Sequence, residues 1–188
     1  MNEVLKRAFI CIPASDEAIK EIARIQEQLK NKLQFIGKIT ELENLHLTLK
    51  FLGEINQEAL NKTKEALSKV KFVQLNLKLG HVGAFSYKGQ PKIIWTKVLG
   101  KELFNLQKQI DESLQSLFPK EERFMSHLTI ARIKYVKDIK YAKEYIKHLK
   151  PKPISWTENK FFLKESELKP LSPIYRILEE YIAKDAHI

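Results

Sequence analysis

Two short segments of the chain carry the same arrangement of histidine and threonine. The segment HLTL begins at His46 and the segment HLTI begins at His127, so they differ only in the last position. In a β-strand the side chains alternate between two faces, so each histidine points the same way as the threonine two residues later. Two such strands beside one cleft would bring together two imidazoles and two hydroxyls.

Two imidazoles that flank one phosphorus atom can catalyse the opening of a cyclic phosphodiester. The reaction needs one group that takes a proton from water and another that gives a proton to the departing sugar oxygen. Imidazole titrates near neutrality, so a histidine can serve in either role. We therefore identify His46 and His127 as candidate catalytic residues, and Thr48 and Thr129 as candidate hydroxyl donors to the phosphate oxygens.

Metal ligation is a competing use for the two histidines. No third or fourth ligand lies at a spacing typical of zinc sites, and Cys11 is the one cysteine of the chain. We therefore predict neither a metal nor a cofactor. The other histidines, His81, His148 and His187, lack the flanking pattern and are expected to be structural or solvent-exposed.

Arg132 is a candidate phosphate ligand whose position conflicts with regular strand geometry. It lies five residues after His127, and this odd spacing would place it on the opposite face of a regular strand from Thr129. A β-bulge, or the end of the strand, would turn it back toward the cleft. Its guanidinium would then offer a fixed positive charge and a fork of N–H donors suited to phosphate.

Strand and helix patterns surround both segments. Apolar or alternating runs predict strands at 7–12, 46–52, 75–85, 92–98, 127–133, 156–163 and 174–178. Apolar residues spaced three and four apart predict amphipathic helices over 19–29, 60–70, 103–117 and 139–149. Asn56 is expected to cap the second helix, and the third is expected to stop before Pro119. Each histidine strand therefore precedes a helix, and the two halves of the chain resemble each other.

The composition indicates a basic globular protein. The 188 residues are 44% hydrophobic and 30% charged, and the length suits a single domain over residues 1–188. The net charge of +10 favours a polyanionic partner, although lysines on solvent-facing helix surfaces would also account for it. Neither a signal peptide nor an apolar run long enough for a membrane span is found. We expect a cytoplasmic monomer without membrane association.

The residues around both histidines resemble a known family. HLTLKFLGE from His46 and SHLTIAR from Ser126 are similar to the signature pair of the two-histidine phosphoesterase superfamily. The similarity is to its RNA 2',3'-cyclic phosphodiesterase branch, also called the LigT or ThpR type 2'-5' RNA ligases. Other segments of the chain extend the resemblance in family order, namely RAFICIP, GAF, PKIIW and SELKPLSPIY.

This resemblance implies both a fold and an activity. The fold would be bilobal α+β, with two pseudo-symmetric antiparallel sheets, helices outside and a central V-shaped cleft. The activity would be hydrolysis of a terminal 2',3'-cyclic phosphate to a 2'-phosphate by metal-free acid–base catalysis, with a reversible 2'-5' RNA ligase activity as a second expectation. The implied partners are RNA ends that carry a cyclic phosphate, with tRNA fragments among the candidates.

The resemblance also implies a role for each candidate residue. His46 would donate a proton to the leaving 3' oxygen, and His127 would be the base that activates water. Thr48, Thr129 and Arg132 would hold the phosphate. Because reversing a reaction exchanges its acid and its base, the division of roles between the histidines stays open.

Substrate recognition is less well defined by these motifs than the reaction. Phe9 is a candidate for stacking on a base, although its apolar strand suits core packing equally well. Two alternatives to the RNA cyclic phosphodiesterase also stay open. One is a noncatalytic module that binds RNA ends, and the other is a phosphoesterase for another cyclic or 2'-5' linked nucleotide.

Overall fold

The computed structural model of the protein describes residues 4–170 and 172–184. The strands, β1 to β9 in chain order, are Lys6–Pro13, Phe35–Ile39, His46–Ile55, Leu75–Tyr87, Gln90–Leu99, His127–Val136, Ser155–Glu158, Lys160–Glu167 and Ile174–Ile182. The helices, α1 to α4, are Asp16–Lys32, Gln57–Ser68, Lys101–Ser113 and Ile139–His148. No helix in these described ranges has the length and apolar character needed to cross a membrane.

The described strands form one curled antiparallel sheet made of two similar halves. The strand order is β7-β4-β5-β6-β3-β1-β8-β9, and β2 also pairs with β6. The first four strands of this order form one half and the last four form the other. The halves meet where Leu47 of β3 pairs with Leu128 of β6, so the two histidine strands are neighbours. The expected α+β fold is therefore confirmed, and the two antiparallel sheets expected from the sequence are joined into one curled sheet.

The main hydrophobic core lies between the helices and one face of the sheet. Leu47 and Leu128 are buried in a single cluster with Ile22 of α1 and Ile110 of α3. Each helix contributes an apolar stripe at intervals of three and four residues, as amphipathic helices do. Because neighbouring strand residues point to opposite faces, the histidine and threonine side chains of β3 and β6 lie on the face away from this core.

Helix α2 begins where the sequence analysis expects it. The side chain of Asn56 accepts a hydrogen bond from the backbone N–H of Ala59 at 2.8 Å, which makes Asn56 the N-cap. Helix α3 ends earlier than expected, at Ser113. Residues 114–117 form turns, although Leu114 is still buried in the core. The apolar spacing in the sequence therefore continues beyond the end of the helix.

Two parts of the sheet differ from the expectation. The single strand expected over 156–163 is two strands, β7 and β8. Strand β7 pairs with β4 as far as Glu158, and the chain then crosses to the other half, where β8 pairs with β1. The sequence analysis did not predict β2, Phe35–Ile39. Three of its five residues are exposed, so it lacks the alternation that identifies a half-buried strand.

Candidate active site

A cleft of about 620 Å³ opens on the face of the sheet that carries the histidines. Residues of both halves line it. The lining includes all six candidate site residues, which are Phe9, His46, Thr48, His127, Thr129 and Arg132. The structure therefore brings together, in one cleft, side chains that are far apart in sequence.

Backbone carbonyls hold the two imidazoles in matching ways. Nδ1 of His46 lies 2.7 Å from the carbonyl oxygen of Asn44, and Nδ1 of His127 lies 2.7 Å from that of Met125. A carbonyl oxygen only accepts hydrogen bonds, so Nδ1–H is the donor in both pairs. Each neutral ring therefore keeps its proton on Nδ1, and Nε2 is left as the nitrogen that can accept a proton.

Burial and nearby cations lower the pKa of both histidines. Burial lowers the pKa of His46 to about 4, and the charges of Lys164 and Arg132 act in the same direction. Burial also lowers the pKa of His127, and Lys97 and Arg132 contribute to this shift. The hydrogen bonds to the carbonyls favour the charged rings but do not outweigh these effects. Both imidazoles are therefore neutral at pH 7, in a positively charged setting that favours an anion.

A β-bulge in β6 places Arg132 on the cleft face. Ala131 and Thr129 pair with two adjacent residues of β5, which leaves Ile130 without a partner in that strand. Ile130 and Ala131 are accordingly both buried. The extra residue resets the alternation of side chains, so Arg132 lines the cleft together with Thr129. This is the irregularity that the odd spacing of Arg132 requires.

Strand β3 contains the same bulge at the same position. Thr48 and Lys50 pair with adjacent residues of β1, which leaves Leu49 without a partner there. The sequence of buried, half-buried and exposed positions is identical in β3 and β6. Phe51 is the sixth residue of β3 and Arg132 is the sixth residue of β6, and both line the cleft. One half of the cleft thus presents a guanidinium where the other presents an aromatic ring.

Aromatic rings surround both histidines. The ring centroids of Phe9 and Tyr175 lie 4.8 and 5.2 Å from that of His46. The ring of Phe85 meets that of His127 edge to face at 5.3 Å. Phe9 is only 2% exposed and packs in a small buried cluster, so most of its surface serves packing. Phe51, at 62% exposed, offers far more ring surface to a ligand.

Sequence reasoning did not find several residues that line the cleft or whose charge acts on its histidines. Tyr175 and Phe85 lie in segments that resemble the family, but no spacing relates them to the histidines. Lys164 comes near His46 only because β8 pairs with β1, a long-range contact. Phe51 was detectable, since it occupies in the first repeat the place that Arg132 occupies in the second.

The remaining candidates for metal binding or nucleophilic chemistry lie outside the cleft lining. His81 is exposed and packs edge to face on Trp95 at 5.5 Å, and His148 is exposed on α4, as expected. His187 lies outside the described residues. Cys11 is buried, and burial raises the pKa of its thiol to about 12. Within residues 4–170 and 172–184, no group of three or more His, Cys, Asp or Glu side chains could hold a metal ion.

Curated relatives align with nearly the whole chain. A Methanocaldococcus jannaschii protein named RNA 2',3'-cyclic phosphodiesterase is 37% identical over 179 residues, which cover 93% of this chain and 99% of the relative. Proteins of the same name from Archaeoglobus fulgidus and Thermotoga maritima are each 33% identical and also cover 93% of this chain. These alignments span 99% and 94% of the respective relatives.

Solved structures and a family profile agree with these relatives. The fold matches that of TT0787 from Thermus thermophilus with a TM-score of 0.80 at 23% identity, over 96% of this chain and 100% of that one. It matches E. coli LigT complexed with phosphate with a TM-score of 0.72 at 19% identity, over 97% and 99%. The profile described as LigT like Phosphoesterase matches residues 12–95 and then 96–175, one match for each half of the sequence. The chain belongs to the LigT-like phosphoesterase family.

Proposed function

We propose that the protein is an RNA 2',3'-cyclic phosphodiesterase, which hydrolyses a terminal cyclic phosphate to a 2'-phosphate. The main support for this proposal is the pair of histidines in one cleft. Each has its Nδ1 hydrogen-bonded to a backbone carbonyl, and each is followed two residues later by a threonine on the same face. The names of the curated relatives support the same substrate class.

In this proposal the phosphate binds between the two histidine strands. Arg132 supplies a positive charge to the non-bridging oxygens, and Thr48 and Thr129 supply hydroxyl donors from the two halves. The bound anion raises the pKa of both imidazoles, because an opposite charge nearby favours the protonated ring. One histidine is then able to carry a proton in the complex although both are neutral in the empty cleft.

The hydrolysis step needs one neutral and one protonated imidazole. Nε2 of His127 takes a proton from water as the water oxygen attacks phosphorus. The bond between phosphorus and the 3' oxygen breaks, and Nε2–H of His46 gives its proton to that oxygen. The product is a 2'-phosphate with a free 3' hydroxyl, and proton exchange with solvent resets the pair. With a 5' hydroxyl in place of water, a cyclic phosphate end would instead be joined through a 2'-5' bond.

The wider surface suits a nucleic acid rather than a free mononucleotide alone. The net charge is +10, and the exposed ring of Phe51 lines the same cleft as the two histidines. Charge concentrates a polyanion near the cleft, and an exposed ring can stack on a base. RNA fragments with cyclic phosphate ends, tRNA fragments among them, are the proposed partners of a cytoplasmic monomer.

The direct test measures hydrolysis of nucleoside 2',3'-cyclic phosphates and of an RNA oligomer with a cyclic phosphate end, in excess EDTA. Chromatography separates 2'-phosphate from 3'-phosphate products. We expect 2'-phosphate alone, formed at the same rate with and without the chelator. Tight binding of the oligomer without turnover would instead identify the noncatalytic binding module. Formation of 3'-phosphate, or loss of activity in EDTA, would contradict the proposed mechanism.

A further inference from the structure

Helices α1 and α3, which follow β1 and β5, each place a buried polar side chain against the histidine strand of the other half. Gln26 is the eleventh residue of α1, and Asp111 is the eleventh residue of α3. Both are only 4% exposed. Gln26 reaches β6, and Asp111 reaches β3. The two contacts are thus related by the same pseudo-symmetry as the histidines.

The contact of Gln26 falls on the bulge of β6. Its Nε2 donates to the carbonyl oxygen of Ile130 at 3.1 Å and to that of Thr40 at 2.8 Å. The backbone N–H of Thr40 also donates to Ile130 at 3.0 Å. Ile130 is the extra residue that turns Arg132 into the cleft. Gln26 therefore ties the bulge of the second half to a helix of the first.

The contact of Asp111 falls beside the bulge of β3. Its carboxylate pairs with the ammonium of Lys50, which follows the extra residue of that bulge. Lys50 also donates to the carbonyl of Pro119 at 2.7 Å, and Asp111 accepts from the backbone N–H of Glu121 at 3.0 Å. Residues 119–121 belong to the segment that leads into His127. This contact therefore ties β3 both to α3 and to the approach to the second histidine.

Packing of the core does not by itself explain why Gln26, Lys50 and Asp111 are polar. A buried ion pair costs desolvation, and apolar residues of similar size often stabilise a fold equally well. Between the histidine strands themselves, the ladder in the described part of the chain is limited to Leu47 and Leu128. Side-chain contacts across the halves are therefore well placed to fix how the two bulges face each other.

We propose that Gln26 and the Lys50–Asp111 pair are positioning residues of the active site, which hold the two bulges in the geometry that aims Arg132 and the histidines at one phosphate. Gln26 acts on Arg132 through the Ile130 carbonyl. The Lys50–Asp111 pair acts on β3, which carries His46. This inference rests on the proposed function, and its test can fail separately from that function.

The first test replaces Gln26 by Met, which keeps the length of the side chain and removes the donor. We expect kcat/KM for a cyclic phosphate to fall about 10- to 100-fold, since small displacements of positioning groups have effects of this order. Gln28→Met, on a half-buried position of the same helix, is the matched control and should leave kcat/KM unchanged. An unchanged kcat/KM in a folded Gln26→Met protein would overturn the role of Gln26.

A double-mutant cycle with Arg132→Met distinguishes an effect of Gln26 that acts through Arg132 from a loss of activity that is independent of Arg132. If Gln26 acts through Arg132, the double variant is no slower than Arg132→Met alone. NMR titration gives a second readout without turnover. Because the charge of Arg132 lowers the pKa of both histidines, those pKa values should rise in Gln26→Met and in Arg132→Met alike. Additive losses of activity, or unshifted titrations, would contradict the proposal.

The other contact is tested by Lys50→Met combined with Asp111→Leu, which removes both buried charges together and so leaves neither charge unpaired. We expect kcat to fall about 10-fold at a temperature where the variant is folded. The melting temperature should also fall, because the amide of Gln107 and the backbone N–H of Glu121 lose their acceptor. Wild-type kcat in this variant would overturn the role of the pair, and the variant also tests the idea should Gln26→Met not fold. Absence of turnover in the wild-type protein would contradict the proposed function but not the positioning role. The NMR titrations would still test whether Gln26 positions Arg132.

Discussion

At the scale of single residues, the site depends on how two ordinary imidazoles are tuned. Carbonyl oxygens orient them and burial makes them neutral, so each presents an unprotonated Nε2. The histidines and threonines could be identified from sequence because a repeated pattern of four residues is specific. Their environment could not, since Lys164 and Tyr175 approach His46 only through long-range strand pairing.

The lowered pKa values predict the shape of the pH profile. Productive binding to the free enzyme needs one protonated and one neutral histidine, so kcat/KM should be bell-shaped. Since both pKa values lie below 6.5, the centre of the bell should lie on the acidic side of that value. The kcat profile should lie at higher pH, because the bound anion favours the imidazolium.

Steady-state kinetics on a nucleoside 2',3'-cyclic phosphate, from about pH 4 to 9, would check this prediction, because the substrate remains a monoanion throughout. A flat kcat/KM profile, or a maximum above about pH 8, would contradict the account of the two histidines.

At the scale of elements, bulges decide which side chains reach the cleft. The odd spacing of Arg132 indicates from sequence either a bulge or the end of the strand before Arg132, but not which of the two. Strand β2 was missed because only its end residues are even half-buried, so it shows no apolar alternation. Gly37, in the middle of β2, packs closely against the backbone of β6. A β-carbon on Gly37 would lie 2.3 Å from the carbonyl oxygen of Arg132.

Gly37→Ala should therefore displace β2 from β6 and disturb Arg132. A contact this short with a backbone atom forces the strands apart, so we expect a loss of about 1–3 kcal/mol in the free energy of unfolding. KM should rise, because the guanidinium that would hold the phosphate moves. Urea unfolding and steady-state kinetics measure the two effects.

Ile36→Ala is the control for this substitution, since Ile36 is exposed on the same strand. It should change neither quantity. A Gly37→Ala protein with wild-type stability and wild-type KM would show that β2 does not constrain Arg132.

At the scale of the whole molecule, the duplication builds one cleft from two halves that are not chemically equal. Arg132 and Phe51 occupy corresponding positions in β6 and β3 and both line the cleft, so one strand offers charge and the other a ring. The repeat of helix and strand was readable in sequence. The crossing of the chain from β7 in one half to β8 in the other was not, because a single residue, Asn159, separates the two strands and neither glycine nor proline marks the break.

The net charge predicts a dependence of binding on salt and on RNA length. KM for an oligomer with a cyclic phosphate end should rise with salt more steeply than KM for a cyclic mononucleotide, because the oligomer contacts more cations and releases more counterions. Steady-state kinetics between about 50 and 300 mM KCl would compare the two slopes, and kcat should change little. Equal slopes would show that the surface beyond the cleft does not bind the RNA chain.

The central claim is that two histidines act as an acid and base pair, and single-turnover rates of His46→Ala and His127→Ala on a cyclic-phosphate RNA test it most directly. His148→Ala, at an exposed position on α4, is the matched control. We predict that each cleft variant folds and binds the RNA but loses about 100- to 10,000-fold in the chemical step, while the control keeps the wild-type rate. A near-normal rate in either folded cleft variant would contradict the account.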